Sequence, residues 1–599
     1  MIKLPTLSTQ RRRPAGTPPL LRALSLPLCL SLAVGCLGPA NQPAEAKPTV
    51  VEWLQYLSPL PEKGYLNESQ DRLIKKKSFK LQDMPDAEPV ANKETGLFAL
   101  VPPARTADLP YLSELLARKE VNGLSVLLTW RQLEPEDDQY NWKPIDDLLC
   151  LCAKYNKTLI LRISTCGLDL PGSSAENVSQ AAEPGAQEAA AKANSDTPKW
   201  LFEANVKAMP YTGADGKTHL MPIFWDTDYL ANWSNFIQDL AERYDKSPYI
   251  HSIGITGGGI RGGTAVVPSF AAESPSQPAG ASASGSVRAY YAQLERTLKQ
   301  DYGMTPRQLV EHWKYAADLF PKAFTTARLN FDIDPPTPNR AGQDALDEIS
   351  DYLAYRYGER VYLTRQSIAD AKHGFDEYRV LLKFRPDTLT GYQLSPGVNP
   401  ASLPKIVQNA LDDGISFAEV PADILTSSDE VINNSLKHLA SHIGYQVISQ
   451  AASIPAELPS GAPLPASFTF VNLGAAAPMR PDRNFDKDVA ASYKIALELR
   501  DASGKPVVVS LHTPELPTNR WPAGKPVQWQ RELKLPELPP GEYSVWMSLV
   551  DPGSNRKLQF LNAISEKDPL SISSAPVGKI KITAATRALG AKDPAPASD

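Results

Sequence analysis

Short apolar runs alternate eight times with amphipathic helical segments along the middle of this chain. Several runs are almost continuously apolar, which is typical of parallel strands buried on both faces. Strands that alternate with helices predict right-handed parallel crossovers, and eight such units close a (β/α)8 TIM barrel, an α/β fold. The predicted strands are 97–101, 124–130, 158–163, 250–256, 324–331, 361–366, 388–394 and 415–420.

An open, doubly wound parallel sheet is the alternative architecture for the same pattern. That fold would place a glycine-rich phosphate-binding turn directly after the first strand. Here residues 101–105 read VPPAR, without such a turn, which weakens the alternative. The seventh predicted strand has the weakest pattern of the eight, because Thr390, Gly391 and Gln393 interrupt it.

The chain is too long for one ordinary core and divides by composition. Residues 37–94 are a lead-in, residues 95–444 form the barrel, and residues 585–599 are a tail rich in Ala and Pro. Residues 445–584 carry short alternating runs separated by turn residues, which predict an immunoglobulin-like β-sandwich. Two segments rich in Ala, Ser and Gly, 172–196 and 267–287, are insertions after the third and fourth strands.

The first 36 residues have the pattern of an export signal. A basic segment precedes an apolar stretch, 24–34, that is too short to span a bilayer. The stretch leads through Gly35 into Cys36, which resembles a lipobox and predicts lipidation of Cys36 and a membrane anchor. Ordinary cleavage after the A-x-A sequence at 44–46 is the alternative, and it would give a secreted or periplasmic protein.

Charge and cysteine content exclude several functional classes. The formal charge is -5, and removing the five basic residues of the signal makes the mature chain more acidic, which argues against nucleic acid as a partner. Three cysteines outside the signal, Cys150, Cys152 and Cys166, do not make a disulfide framework. His438 and His442 are four residues apart, but no third ligand is in view. The sequence predicts no metal and no cofactor.

Residues 126–142, VLLTWRQLEPEDDQYNW, resemble the second strand and following loop of β-galactosidase-like retaining glycoside hydrolases. In that pattern a Trp is followed by Leu-Glu-Pro, a turn glycine and an aromatic pair. Asp138 stands at the glycine position, and Asp tolerates the left-handed conformation better than most residues. Residues 197–201, TPKWL, and the helix that begins near residue 225 are also similar to that group.

The resemblance implies a pair of catalytic carboxylates at the ends of the fourth and seventh strands, about 5–5.5 Å apart in retaining enzymes. The fourth strand continues into residues 257–263, GGGIRGG, where Gly263 or a neighbouring glycine replaces the expected Glu. The seventh strand carries Gln393, which cannot ionise. Both expected carboxylates are therefore absent from these positions.

Other side chains remain candidates for chemistry and for sugar binding. Glu419, near the end of the eighth strand, and Asp332, after the fifth, are the candidate catalytic carboxylates. The alternatives are that Glu419 pairs with an arginine such as Arg162 or Arg365, and that Asp332 is an ordinary loop or capping acid. Aromatic rings stack on sugars and arginines bind hydroxyls and carboxylates, although the tryptophans are equally suited to core packing. The candidate binding residues are Trp130, Arg131, Arg162, Trp200, Trp225, Asp226, Tyr229, Arg261, Asn330, Arg365, Gln366, Tyr392 and Gln393.

Three functions follow from these observations. The first is an exported glycoside-hydrolase-like protein that acts on poly- or oligosaccharide and hydrolyses O-glycosyl bonds. The second is a catalytically silent carbohydrate-binding barrel, because the expected acid/base residue is a glycine near Gly263. The third is a structural lipoprotein of the cell envelope. An active enzyme requires two nearby carboxylates at the rim, whereas a binding protein requires only an aromatic-lined groove.

Overall fold

A closed barrel of eight parallel strands forms the first part of the computed structural model. The order around the barrel is β1-β10-β9-β8-β7-β6-β3-β2, and β4 pairs with β5 in a separate hairpin. The structure describes residues 95–167, 192, 195–204, 206–212, 218–260, 262–265, 300–303, 306–333, 340–368, 380–385, 387–396, 398–479, 492–551, 557–558, 560 and 575–584. The strands are β1 (Gly96–Leu100), β2 (Val121–Thr129), β3 (Thr158–Ser164), β4 (Ala208–Thr212), β5 (Thr218–Pro222), β6 (Ile250–Gly254), β7 (Leu329–Asp332), β8 (Val361–Ile368), β9 (Thr390–Leu394) and β10 (Phe417–Pro421).

All eight predicted barrel strands are present, and the open-sheet alternative is excluded because β1 pairs with β10. The predicted start of the fifth strand was wrong by five residues. Phe324 directly follows the helix that ends at Ala323, and its backbone N–H still donates to the carbonyl of Phe320 over 2.8 Å. Both phenylalanines are fully buried, and an apolar run alone does not separate a buried helix end from a buried strand.

Helices surround the barrel and cover the outer faces of its strands. Helix α5 shows why these segments are helical: Asp226 caps its N-terminus by accepting from the backbone N–H groups of Asp228 and Tyr229. Its apolar residues, among them Trp233 and Phe236, form one buried face. The helices are α1 (Leu109–Ala117), α2 (Trp130–Leu133), α3 (Lys143–Lys154), α4 (Lys199–Glu203), α5 (Thr227–Tyr244), α6 (Pro306–Ala323), α7 (Arg340–Tyr357), α8 (Val380–Phe384), α9 (Leu403–Asp412), α10 (Ala422–Leu425) and α11 (Glu430–His442).

An apolar floor closes the amino-terminal end of the barrel. Side chains from four strands, Phe98, Ile160, Tyr362 and Phe417, pack together there with Met479. Gly391 on β9 makes room for this layer, because a side chain at that position would overlap the ring of Phe417. The packing of the floor therefore requires a glycine at position 391, one of the residues that interrupt the apolar pattern of the seventh predicted strand.

Two further sheets follow the barrel. The three-stranded sheet has the order β11-β13-β16, the five-stranded sheet has the order β12-β18-β17-β14-β15, and their strands share one hydrophobic cluster. The β-rich second part predicted from the sequence is confirmed by these two sheets, and the immunoglobulin-like assignment stays a prediction. The strands are β11 (Val447–Ser453), β12 (Glu457–Pro459), β13 (Leu464–Asn472), β14 (Lys494–Arg500), β15 (Pro506–His512), β16 (Pro526–Leu533), β17 (Gly541–Val550) and β18 (Ala575–Thr583).

Backbone hydrogen bonds join the segment after β13 to the barrel. The N–H of Ala475 donates to the carbonyl of His442, and that of Ala476 donates to the carbonyl of Gly444, each over 2.8 Å. The same segment then reaches Met479 in the barrel floor. Within the residue ranges given above, none of the helices combines the length and apolarity needed to cross a bilayer.

Candidate functional site in the barrel

Charged side chains fill the barrel interior directly above the floor. Alternate residues of a strand face the same side, so Glu419 on β10 follows Phe417 into the interior, and Arg162 on β3 follows Ile160. Asp332, the last residue of β7, reaches the same guanidinium group. Glu419 is 0% exposed, and Arg162 and Asp332 are almost as deeply buried.

The guanidinium of Arg162 lies between the two carboxylates. Its Nη1 and Nη2 atoms each donate to an oxygen of Glu419 over 2.7 Å. Its Nε and Nη2 atoms donate to the two oxygens of Asp332 over 3.1 and 3.0 Å. Both pairs are bidentate, the geometry in which arginine binds carboxylates most strongly.

Two neutral side chains complete the hydrogen bonds of Glu419. The hydroxyl of Ser125 on β2 donates to Oε2 over 2.6 Å, and the amide of Gln393 on β9 donates to the same oxygen over 2.9 Å. Burial by itself would raise the pKa of Glu419, but the charge and hydrogen bonds of Arg162, together with these two donors, bring it below its ordinary value. Glu419 therefore stays ionised at neutral pH and has no proton to donate.

Asn330 lies on β7, two residues before Asp332. It is 0% exposed, and its Oδ1 accepts from the hydroxyl of Thr364 on β8 over 2.6 Å. Its Nδ2 has no hydrogen-bond partner among the described residues. Asn330 thus belongs to the polar interior and does not reach the surface.

The glycine-rich segment after β6 folds back on itself. The N–H groups of Gly257 and Gly258 both donate to the carbonyl of Gly263, over 3.0 and 3.2 Å. A side chain at Gly257 would overlap Trp233, and one at Gly263 would overlap Thr165. Protein side chains therefore already occupy the space beside both glycines.

Three of the predicted sugar-binding aromatics are core residues in the structure. Trp130 is 0% exposed and makes edge contacts with Trp200, Tyr229 and Trp233, with ring centroids between 4.9 and 6.3 Å apart. Tyr229 is equally buried, and its hydroxyl donates to the carbonyl of Gly257 over 2.9 Å. Tyr392 on β9 is buried, and its hydroxyl donates to the carboxylate of Asp413, directly after α9.

The remaining aromatics are partly exposed and offer ring surface. The indole N–H of Trp200 donates to the carbonyl of Glu134 over 3.2 Å, and that of Trp225 donates to the carbonyl of Tyr302 over 3.2 Å. These bonds fix the orientation of both rings. Trp200 and Trp225 are therefore the predicted aromatics that remain available for stacking on a sugar.

The other predicted binding residues are dispersed. Arg131 is partly exposed and donates to the carbonyl of Ser195 over 3.3 Å. Arg365 is buried beside the ring of Tyr392. Gln366 is partly exposed. Asp226, partly exposed, is occupied as the cap of α5. Arg261 and Cys36 lie outside the described residues.

The sequence interpretation did not assign a role to Glu134, although it lies within the quoted motif. Glu134 accepts from the indole N–H of Trp130 over 2.7 Å and from the backbone N–H of Asp138 over 3.2 Å. Burial is the main cause that raises the pKa of Glu134 to about 7. Asp138 adopts a positive φ of 58°, as the turn predicted at the glycine position requires. Nothing in the sequence shows the depth of burial that perturbs this carboxyl.

Carboxylate oxygens of Glu134, Asp137 and Asp138 lie within 4.8 Å of one another. Both oxygens of Glu134 already accept hydrogen bonds from protein groups, and Asp137 and Asp138 are exposed. We assign no metal to this turn, because exposed acidic groups commonly lie together without one. His438 and His442 both lie on α11, and Nδ1 of His442 forms a hydrogen bond with the carbonyl of His438.

The fold and the ion-paired interior together define a TIM-barrel protein whose central carboxylates are bound by one arginine, Arg162.

No protein-family model and no curated protein matches the chain. The catalytic domain of β-amylase from Paenibacillus polymyxa is 12% identical, covers 58% of this chain and 98% of its own, and has a TM-score of 0.39. A psychrophilic family 10 endo-β-1,4-xylanase is 12% identical, with coverage of 57% and 96% and a TM-score of 0.32. A β-galactosidase from Marinomonas ef1 is 11% identical, with coverage of 58% and 59% and a TM-score of 0.31.

Proposed function

We propose that this protein binds poly- or oligosaccharide at the carboxyl-end face of its barrel and does not cleave glycosidic bonds through Glu419 and Asp332. The observation that carries the proposal is the guanidinium of Arg162 between these carboxylates. A retaining glycosidase needs one ionised nucleophile and one protonated acid facing the substrate. Here both candidates are buried and bonded to the same cation, and the pKa of Glu419 is lowered.

Partly exposed aromatic and polar side chains near the strand ends support binding. In TIM-barrel proteins, ligands bind at the face formed by the loops that follow the strands. Arg131 lies on α2, which follows β2 directly, and Trp200 lies on α4, which comes between β3 and β4 in the chain. Gln393 near the end of β9 is also partly exposed. Aromatic rings and fixed hydrogen-bond donors are the groups with which proteins recognise sugars.

A glycan-array screen run beside chromogenic-glycoside assays tests the proposal. We expect the wild type to bind at least one glycan and to release no chromophore above the protein-free rate. Glu419→Gln should behave in the same way if it folds, with Glu120→Gln as a control at an exposed ion pair. Turnover by the wild type that is lost in Glu419→Gln would show an enzyme and overturn the proposal. Absence of binding to any glycan would overturn it as well.

We also propose that the protein is exported and attached to a membrane through lipid on Cys36. The basic segment, the short apolar stretch and the small residues before Cys36 support this. Expression in a bacterial host with a radiolabelled fatty acid should label the wild type and leave Cys36→Ser unlabelled. An unlabelled wild type found in the soluble periplasmic fraction would favour cleavage after residue 46 instead.

A further inference from the structure

The outer edge of β15 pairs with no other strand among the residues that the structure describes. On its inner side β15 pairs antiparallel with β14, and the sheet order β12-β18-β17-β14-β15 ends with it. An edge strand presents backbone N–H and C=O groups with which a further strand can pair. Proteins commonly protect such edges with charged side chains, but residues 507–513 contain no Asp, Glu, Lys or Arg.

The side chains on one face of β15 are apolar and exposed. Val507, Val509 and Leu511 are alternate residues and therefore point to the same face, where they are 42%, 58% and 46% exposed. Val508, on the opposite face, packs against the hydrophobic cluster that the two sheets share. The exposed row thus lies on the outer face of the sheet. A row of exposed apolar side chains along a sheet edge is typical of an association surface.

The segment is complementary to a second, antiparallel copy of itself. Pro506 and Pro514 bound the seven residues 507–513, VVVSLHT, and Ser510 is their centre. Proline has no backbone N–H, so it limits strand pairing at both ends. When two copies pair antiparallel about Ser510, Val509 of each copy lies opposite Leu511 of the other. The two apolar rows then form one patch on the same face of the joined sheet.

Opposite charges flank the segment at equal distances from Ser510. Lys505 lies five residues before it and Glu515 five residues after it, and both are exposed. Antiparallel pairing about Ser510 therefore places Lys505 of each copy opposite Glu515 of the other, which gives two ion pairs. A parallel arrangement would instead bring like charges together. An oxygen of Glu515 lies 3.6 Å from Nη2 of Arg531, but that exposed pair contributes little and does not prevent the exchange.

We propose that two copies of this protein form a symmetric dimer in which their β15 strands pair antiparallel about Ser510. The two five-stranded sheets then become one continuous sheet across a two-fold axis, with the same surface used by both copies. The interface is narrow, because each copy contributes one edge strand and its flanking charges. We therefore expect a dimer that dissociates on dilution.

Sedimentation velocity over a range of protein concentrations tests the proposal through the flanking charges. All chains are full length and carry Cys36→Ser and Cys150→Ser, so that neither a lipid nor a native thiol at these positions contributes. Lys505→Glu and Glu515→Lys should each raise the dissociation constant about tenfold, because both ion pairs become like-charge contacts. The double variant, Lys505→Glu with Glu515→Lys, should return to within about threefold of the parent chain.

Lys579→Glu is the matched control for charge reversal. Lys579 is an exposed residue of β18, which β17 and β14 separate from β15. Its reversal should leave the dissociation constant unchanged.

Oxidative cross-linking tests the register. Ser510 lies opposite its own copy, and Cα atoms of opposite residues in an antiparallel pair are about 4.5–5.5 Å apart, within the range of a disulfide. Ser510→Cys should therefore give a cross-linked dimer on a non-reducing gel after mild oxidation with copper phenanthroline. Val507→Cys is the control, because the two copies of residue 507 would lie about 20 Å apart along the paired strands.

A parent chain that stays monomeric at every concentration up to its solubility limit would overturn the proposal. A dimer that neither charge reversal weakens would show that the copies meet at another surface, and would overturn it as well. Cross-linking of Val507→Cys as efficient as that of Ser510→Cys would contradict pairing about Ser510.

Discussion

At the scale of single residues, the barrel interior is governed by one cation. Arg162 binds two carboxyl groups, those of Glu419 and Asp332, that are both withdrawn from water. A buried ion pair gains little over apolar packing, but removal of one partner leaves the others uncompensated. The arrangement therefore makes the fold depend on Arg162 more than on either carboxylate.

Arg162→Met should lower the free energy of unfolding by about 3–5 kcal/mol, because Glu419 and Asp332 would remain buried without their cation. Urea unfolding followed by tryptophan fluorescence measures this loss. Arg243→Met is the control, since the pair of Arg243 with Asp146 is exposed and should contribute at most about 1 kcal/mol. Equal losses for the two variants would contradict the interpretation.

We expect the carboxyl group of Glu134 to titrate near neutral pH in the folded protein. Its pKa is raised from 4.5 to about 7, so the folded protein binds a proton more tightly than the unfolded chain does. The stability from this group is therefore present below pH 4.5 and is lost as the pH rises through about 7. The indole N–H signal of Trp130, which donates to Glu134, should shift in NMR spectra with a midpoint of about 7. An unchanged signal across that range would contradict this prediction.

The sequence alone predicted the location of Glu419 in the barrel but not its state. Strand alternation places Glu419 at the eighth strand, and Arg162 and Arg365 were both reasonable partners. The structure selects Arg162, because its side chain faces the interior, whereas Arg365 lies beside Tyr392. Which charges meet across a barrel depends on the stagger of its strands, which single-strand patterns do not contain.

At the scale of elements, strands were predictable and the loops between them were not. Eight apolar runs carry the barrel because burial on both faces leaves a strong sequence signal. The glycines at 257–263 carry no such signal. Only the structure shows that Gly257 leaves space for Trp233 and that Gly263 leaves space for Thr165.

Gly257→Ala should destabilise the protein by about 3 kcal/mol, because the added methyl meets Trp233 and the residue has a φ of 110°. Gly504→Ala is a matched control. Gly504 also has a positive φ, 81°, but no atom lies within 4 Å of the added methyl, so the loss should be about 1 kcal/mol. Thermal unfolding of both variants gives the comparison, and similar losses would show that packing does not matter at Gly257.

At the scale of the whole molecule, a residue that follows the barrel in sequence, Met479, completes the barrel floor. Met479 packs in the floor with Phe98 and Phe417, and the bonds of Ala475 and Ala476 hold the preceding segment against the barrel. We expect the barrel and the sheets that follow it to unfold together, because neither buries this surface alone.

Met479→Ala should lower the free energy of unfolding by about 2–3 kcal/mol, as expected for a buried methionine. Leu516→Ala is the control, because Leu516 is 41% exposed and its loss should stay within about 0.5 kcal/mol. Urea unfolding followed by circular dichroism should show one transition that shifts for Met479→Ala. Two transitions, of which only one moves, would contradict a common unfolding unit.

The closure of the floor by Met479 also sets an order for biosynthesis. A ribosome releases all eight barrel strands before it releases this methionine, so the nascent barrel first exists with its aromatic base facing water. Such a surface attracts chaperones and neighbouring nascent chains. Release of residue 479 allows this methionine to cover the base and ends that interval.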